Sequence, residues 1–219
     1  MKTISEIYSE YKIKKNLQEH MFRVAAAAWM IYDSFDVEID KNLLIQGALF
    51  HDMGNIIKFD LTHFPEFNEP EGLEYWQKVK DDYVKKYGKD EHHATYLIMK
   101  EIGLNEELVD IVHKMNFSLL CEHRDSARWE LKILHHVDMR VGPFGIMTYE
   151  DRMNDVKKRY AKVPDDEFNK IAKDVREVLL SCGKDIEKQI FSHCNIEPED
   201  INDESIKPYM EKLKDFVIK

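Results

Sequence analysis

Between residues 16 and 35 an apolar stripe runs through Leu17, Met21, Val24, Ala27, Ala28, Ile31 and Phe35, at the spacing of one helix face. Asn16-Leu17-Gln18-Glu19 reads as a capping box that opens this helix, and His20 falls inside its apolar stripe. A second helix is expected from an Asp40 cap through Leu43, Leu44, Ala48 and Leu49, with Gly54 closing it in a left-handed conformation and His51-Asp52 in its last turn. Residues 59–72, FDLTHFPEFNEPEG, have no period and read as a loop between helices that could serve as a lid. Helices are expected at 72–87, at 91–102 ended by Gly103, and at 106–117 capped by Asn105. Another begins near Ser126 and runs into Gly142-Pro143, with Leu131, Leu134, Val137 and Val141 on its apolar side and Asp138 among them. From Pro164 the pattern gives a long helix to about His193 and one started by Pro198.

The fold class expected is all-α: a helical domain over residues 1–163, with a C-terminal helical extension over 164–219 packing on it. Composition supports that reading. The chain has 219 residues, 43% hydrophobic, 34% charged, with 8 Gly and 6 Pro, and shows little of the Val and Thr alternation of sheet proteins. A net charge of −10 argues against general nucleic-acid binding or a membrane-surface role. No apolar leader or 18-residue apolar run is present, so a cytoplasmic location is expected. Three cysteines, Cys121, Cys182 and Cys194, without C-x-x-C spacing, read as reduced thiols.

Three expected helices thus carry His20, His51 with Asp52, and Asp138 on or beside inward faces. A buried unpaired carboxylate costs several kcal/mol, so each aspartate needs a cation, an arginine or hydrogen-bond donors. One divalent ion satisfies both. Two imidazoles and two carboxylates suit Mn, Fe, Co, Ni or Zn better than Ca, with Mg also admitted by the carboxylates. Neighbours on a helix diverge by about 100°, so His51 and Asp52 can share an ion only at the helix end. Singly, a histidine in an apolar stripe is more often a hydrogen-bonded core residue.

In order, His20, His51-Asp52 and Asp138 resemble the H…HD…D arrangement of the HD-domain superfamily of metal-dependent phosphohydrolases. LQEHMFRVAAAAWMI is similar to that family's first metal-binding helix, ALFHDMGN to its defining doublet, and ILHHVDMRVGP to the helix bearing its last aspartate. The resemblance spans about residues 16–145. It implies an all-helical domain, a divalent metal held by His20, His51, Asp52 and Asp138, one ion per chain rather than two, and a metal-activated water, oriented by Asp52, that attacks a phosphoester. Deoxynucleoside monophosphatases and guanosine tetraphosphate hydrolases of the family carry a glutamate shortly after the doublet, where this chain has Asn55, Ile56 and Ile57. That departure weighs against those two substrates and leaves other nucleotides and small phosphorylated metabolites open.

A phosphate substrate needs positive neighbours, and Lys58, Arg140, Arg23 and Asn55 are the candidates, with Lys58 and Arg140 preferred. His92, His93 and His113 are candidates for a second metal, although their spacing fits poorly. His135, on the same face as Asp138, is a candidate for supporting a ligating carboxylate, while His136 is angled away; His63, His123 and His193 read as ordinary. Phe50, Met53, Trp76 and Trp129 read as core, with Tyr75 or Trp76 the nearest thing to a base contact. The leading function is hydrolysis of a small phosphorylated molecule. A non-catalytic metal- or nucleotide-binding regulator is the alternative, and a di-iron oxygenase the less favoured one. The C-terminal helices either cover the catalytic domain or pair with another subunit in a homo-oligomer.

Overall fold

The computed structural model of the chain describes residues 2–160 and 171–218. Short α1 (Ile4–Glu10) is closed at its start by a Thr3–Glu6 capping box and leads into α2 (Lys15–Ser34), the central helix. There follow α3 (Lys41–Phe50), α4 (Leu73–Tyr87), α5 (Glu91–Ile102), α6 (Glu106–His113), α7 (Leu120–Asp125), α8 (Trp129–Asp138), α9 (Tyr149–Tyr160), α10 (Lys173–Phe191) and α11 (Lys207–Leu213). Among the described residues there is no β-strand, only isolated bridges such as Val141 to Ile146, and the class is all-α. No helix of the described residues is long and apolar enough to cross a membrane.

α2 packs against α3, α8 and α11, and α3 packs in turn on α6 and α8. The apolar stripe read from the sequence is the buried one: Met21, Val24, Ala28 and Ile31 are fully enclosed, each large side chain contributing about 1.5–3 kcal/mol. The run Ala25 to Ala28 is buried on all sides, and small side chains there let neighbouring helices approach. The same logic holds at Gly47 of α3, where a Cβ would lie 2.7 Å from Leu134 Cδ1 of α8.

Several local expectations are corrected. α2 begins two residues early, with Lys14 in place of Asn16 at the cap position; the Lys14 side chain makes no cap and is buried, donating to Phe67 O (3.0 Å) and Asn68 Oδ1 (2.8 Å) of the 59–72 loop. Asn16 is therefore inside the helix, with no capping role. Asp40 does cap α3, accepting from Asn42 and Leu43, but Gly54 is right-handed (φ −92). Its requirement is space: a Cβ would meet Glu91 O at 2.4 Å. Gly103 adopts the left-handed stop (φ 84) and Asn105 caps α6, which ends at His113. The expected 126–142 helix is only Trp129–Asp138, preceded by the separate α7. α9 had no counterpart in the sequence reading. Pro198 opens a single 3-10 turn (Pro198–Asp200), and the last helix starts at Lys207. The Pro164 start and the 163/164 boundary lie outside the described residues.

Two cysteines read as thiols are joined: Cys121 of α7 and Cys182 of α10 form a disulfide, leaving Cys194 free. Spacing could not reveal this, because packing of α10 on α7 sets the approach.

The C-terminal segment after α10 braces the turn that follows Asp138. Buried Arg140 donates to Met147 O (3.0 Å), Pro198 O (2.8 Å) and Ile201 O (3.2 Å). Asp203 accepts from the Ile146 amide at 3.1 Å and faces Arg23 of α2 at 3.4 Å.

Candidate metal centre

His20 sits one turn after Leu17 and one before Val24, so the α2 face that enters the core carries its ring inward. His51 is the C-cap of α3, still right-handed (φ −59), and Asp52 begins the turn beyond it, where two consecutive side chains can bend toward one point. Asp138 is the last residue of α8. These three helix positions converge.

His20 Nε2 lies 3.2 Å from His51 Nε2, 3.0 Å from Asp138 Oδ1 and 3.6 Å from Asp52 Oδ2. His51 Nε2 is 3.3 Å from Asp138 Oδ1 and 3.7 Å from Asp52 Oδ2. Ligand atoms bound at about 2.0–2.2 Å around one ion must themselves stand roughly 3–3.6 Å apart, so this spacing fits a divalent metal. Among the described residues, His20, His51 and Asp52 form a His-His-Asp cluster that could hold a metal ion. Asp138 extends it on the side of the two imidazoles.

The hydrogen-bond pattern fits as well. His51 Nδ1 donates to Ala48 O at 2.8 Å, which turns Nε2 toward the cluster centre as a ligand atom. Burial opposes a proton on His51, yet Asp52 and Asp138 overcome it and raise its pKa to about 9. Asp138 is held well below the usual carboxylate range: burial pushes it up, and the His51 and His20 imidazoles more than offset that. Without an ion, a proton does the work of the cation.

The other sequence candidates separate. Asn55 is buried and Lys58, in the 3-10 turn Asn55–Lys58, faces Glu91 Oε1 at 3.4 Å; both line a cavity of about 340 Å³ that His20 also lines. Arg23 is turned to Asp203 and Glu19, and Arg140 to the three carbonyls above, its side lining a different cleft with Glu187 and Lys184. Neither borders the cavity beside His20. The reason is the C-terminal segment, invisible to local pattern, which takes both guanidiniums.

His93 stacks on Tyr96, 6.2 Å between ring centroids, and His113 meets the same tyrosine at 5.7 Å, while His92 Nε2 lies 3.9 Å from Glu91 Oε1, the carboxylate that faces Lys58. His135 is buried and its Nδ1 lies 2.7 Å from His123 Nδ1, which makes His123 a partner rather than an ordinary surface residue. His136 is buried with both ring nitrogens lacking a hydrogen bond, 3.6 Å from Glu187 Oε2. Phe50, Met53 and Trp76 are core, and Lys14 Nζ lies 4.3 Å from the Trp76 ring centroid. Tyr75 packs on Trp76 away from the cavity.

Sequence reasoning passed over Phe64, Phe67 and Arg152, which line the same cavity. Phe64 and Phe67 stand in the aperiodic loop, and Arg152 belongs to α9, an element the pattern did not reveal.

Searches of curated proteins and of solved structures found no match. A family model, described as the HD domain, matches residues 5–178, extending at both ends beyond the stretch over which the resemblance was read. The helical fold, the His-His-Asp cluster at its centre and this match together make the chain a member of the HD domain family.

Proposed function

We propose that this protein is a metal-dependent phosphohydrolase acting on a small phosphorylated molecule, a nucleotide or another phosphorylated metabolite. The observation that carries the reading is the placement of His20, His51, Asp52 and Asp138 within 3.0–3.7 Å contacts beside a cavity bearing Lys58 and Arg152. A divalent ion, when bound, supplies Lewis-acid polarisation of a phosphoryl oxygen and of water. His20, His51, Asp52 and Asp138 would hold it.

The remaining work falls to the chain's own groups. Lys58, 3.4 Å from Glu91 Oε1, and Arg152, which donates to Val141 O at 3.0 Å and to Asp155 Oδ2 at 3.1 Å, both line the cavity, where their positive charge would offset a phosphate in a protein of net charge −10. Asp52 orients the attacking water and takes its proton. Water oxygen bonds to phosphorus, the ester P–O bond breaks, and the leaving alcohol oxygen takes up a proton in exchange for the one passed from water to Asp52, which Asp52 returns directly or through solvent.

The test is elemental analysis of purified wild type and His51→Ala, followed by phosphate release with Mn, Co, Ni and Mg over nucleotides and sugar phosphates. Expected are about one ion per chain, lost in the variant, and phosphate released by the wild type alone. Lys58→Ala should raise KM or slow turnover. Metal retained in His51→Ala, or wild-type metal with no release from any substrate, overturns the reading, the second outcome favouring a binding regulator.

A further inference from the structure

The disulfide between Cys121 and Cys182 joins two helices that pack on the same third one. α7 carries Cys121 and α10 carries Cys182, and both lie against α8, whose last residue is Asp138. α7 is six residues long, fewer than an isolated helix needs, so its neighbours hold it in place. Its inward side chains are Leu120 and His123, both buried. His123 Nδ1 stands 2.7 Å from Nδ1 of buried His135, one turn before Asp138. α10 in turn sets Glu187 Oε2 3.6 Å from Nε2 of His136. The cross-link thus closes a frame around the helix that ends in a candidate metal ligand.

The two sulfurs differ in their surroundings. Cys182 is 1% exposed, whereas Cys121 is only partly buried and its Sγ lies 4.0 Å from the carbonyl of Val178, a residue 58% exposed. An incoming thiolate therefore reaches Cys121 first. Arg124, one turn along α7 from Cys121, directs Nη1 at Cys182 Sγ from 3.2 Å. Its Nε and Nη2 donate to the two oxygens of Asp125 (2.8 and 2.9 Å), which fixes that orientation, and Asp185 Oδ2 is 4.0 Å from Nη1. A thiolate leaving as Cys182 forms beside a fixed cation, and a stabilised leaving thiolate departs faster.

We propose that Cys121–Cys182 is a thiol-exchange site for a small dithiol, attacked at Cys121 with Cys182 as the leaving sulfur, and that opening it loosens the end of α8 and weakens metal binding through Asp138. A reagent thiolate bonds to Cys121 Sγ, the Cys121–Cys182 bond breaks, and its electron pair stays on Cys182 beside Arg124. The reagent's second thiolate then attacks the reagent sulfur of the mixed disulfide and releases Cys121. The protein gains two electrons and two protons, and the dithiol loses them and closes to a cyclic disulfide. The link to Asp138 needs the metal centre and holds whatever reaction that centre performs.

The test follows dithiothreitol reduction of native protein by thiol counting, then desalts the reduced protein without oxygen. The count should rise without denaturant from one thiol per chain, Cys194, to three. Arg124→Gln should slow the rise at least about fivefold, and Arg128→Gln, whose guanidinium pairs with Glu107 at 2.9 Å instead, should not. In metal-free protein, reduction should quicken amide hydrogen exchange at least about tenfold in α7 and in the last turn of α8 and leave α2 unchanged. Calorimetric Mn affinity should fall at least about fivefold on reduction, and Cys121→Ser should show the weaker affinity with or without reductant. A bond that opens only in denaturant, or at the wild-type rate in Arg124→Gln, overturns the exchange site. Quicker exchange confined to α7, with Mn affinity unchanged, makes the bond a brace and overturns its link to Asp138. An oxidised wild type that binds no Mn overturns the metal centre itself, and the link with it.

Discussion

His20 and His51 point their Nε2 atoms at each other across 3.2 Å, with Asp138 Oδ1 within 3.3 Å of both. Two imidazole nitrogens face each other at that distance only with a proton or a cation between them. In the metal-free protein His51, raised to about 9, provides the proton.

Metal uptake must therefore displace it. Below pH 9 binding is expected to release about one proton per ion, and apparent affinity to rise about tenfold per pH unit until pH 9 is reached. Calorimetry of Mn binding in buffers of different ionisation enthalpy reads the proton directly. A pH-independent affinity between 7 and 9 would show that His51 is not a ligand.

Arg140 is expected to be a structural residue. It is 4% exposed, and Arg140→Ala would strip three carbonyls of their donor and release the C-terminal segment from the turn after Asp138. The cost should be about 3 kcal/mol or more in urea denaturation. A variant of wild-type stability with raised KM would instead place the guanidinium at the substrate.

Gly54→Ala should be disruptive although alanine favours helix. The added Cβ would stand 2.4 Å from Glu91 O and 2.8 Å from the Thr95 amide nitrogen, both backbone atoms that cannot swing aside. Separation of α5 from the turn that carries Asp52 is expected, with a stability loss of about 2 kcal/mol or more and weaker metal binding. Unchanged melting and metal content would mean that the two segments part easily.

Acid should destabilise the protein through three buried imidazoles. Burial depresses His135 and His136 to about 3, helped by His123 and Arg140 respectively, and depresses His123 to about 4. These lie below the unfolded value of about 6.5, so between pH 6.5 and 5 the unfolded chain takes up protons that the folded one refuses. Stability is thus unaffected by them above 6.5 and falls as pH drops, each adding about 1.4 kcal/mol per pH unit. His51, raised to about 9, works the other way: its contribution grows as pH falls toward 6.5 and levels off below it, where the imidazole is protonated in both states. Urea denaturation of metal-free protein at pH 7, 6 and 5 should show the fall, and His136→Phe should make it shallower. A flat profile would mean that the imidazoles are charged in the fold.

What the sequence determined by itself is local and periodic. The stripe through Met21, Val24 and Ile31, the Asp40 and Asn105 caps and the Gly103 stop depend on residues within a turn of one another, and the structure shows each. His20, His51, Asp52 and Asp138 were legible because an ionisable residue in an apolar stripe needs a reason within the fold. Only the tertiary structure decided what those positions meet. The C-terminal segment takes Arg23 and Arg140 out of the pocket, Lys14 pins the 59–72 loop, α9 delivers Arg152, and α10 brings Cys182 to Cys121. The physical reason is common to all four. A cation or a thiol on a helix surface has no periodic signature for its partner, because that partner is chosen by how distant segments pack.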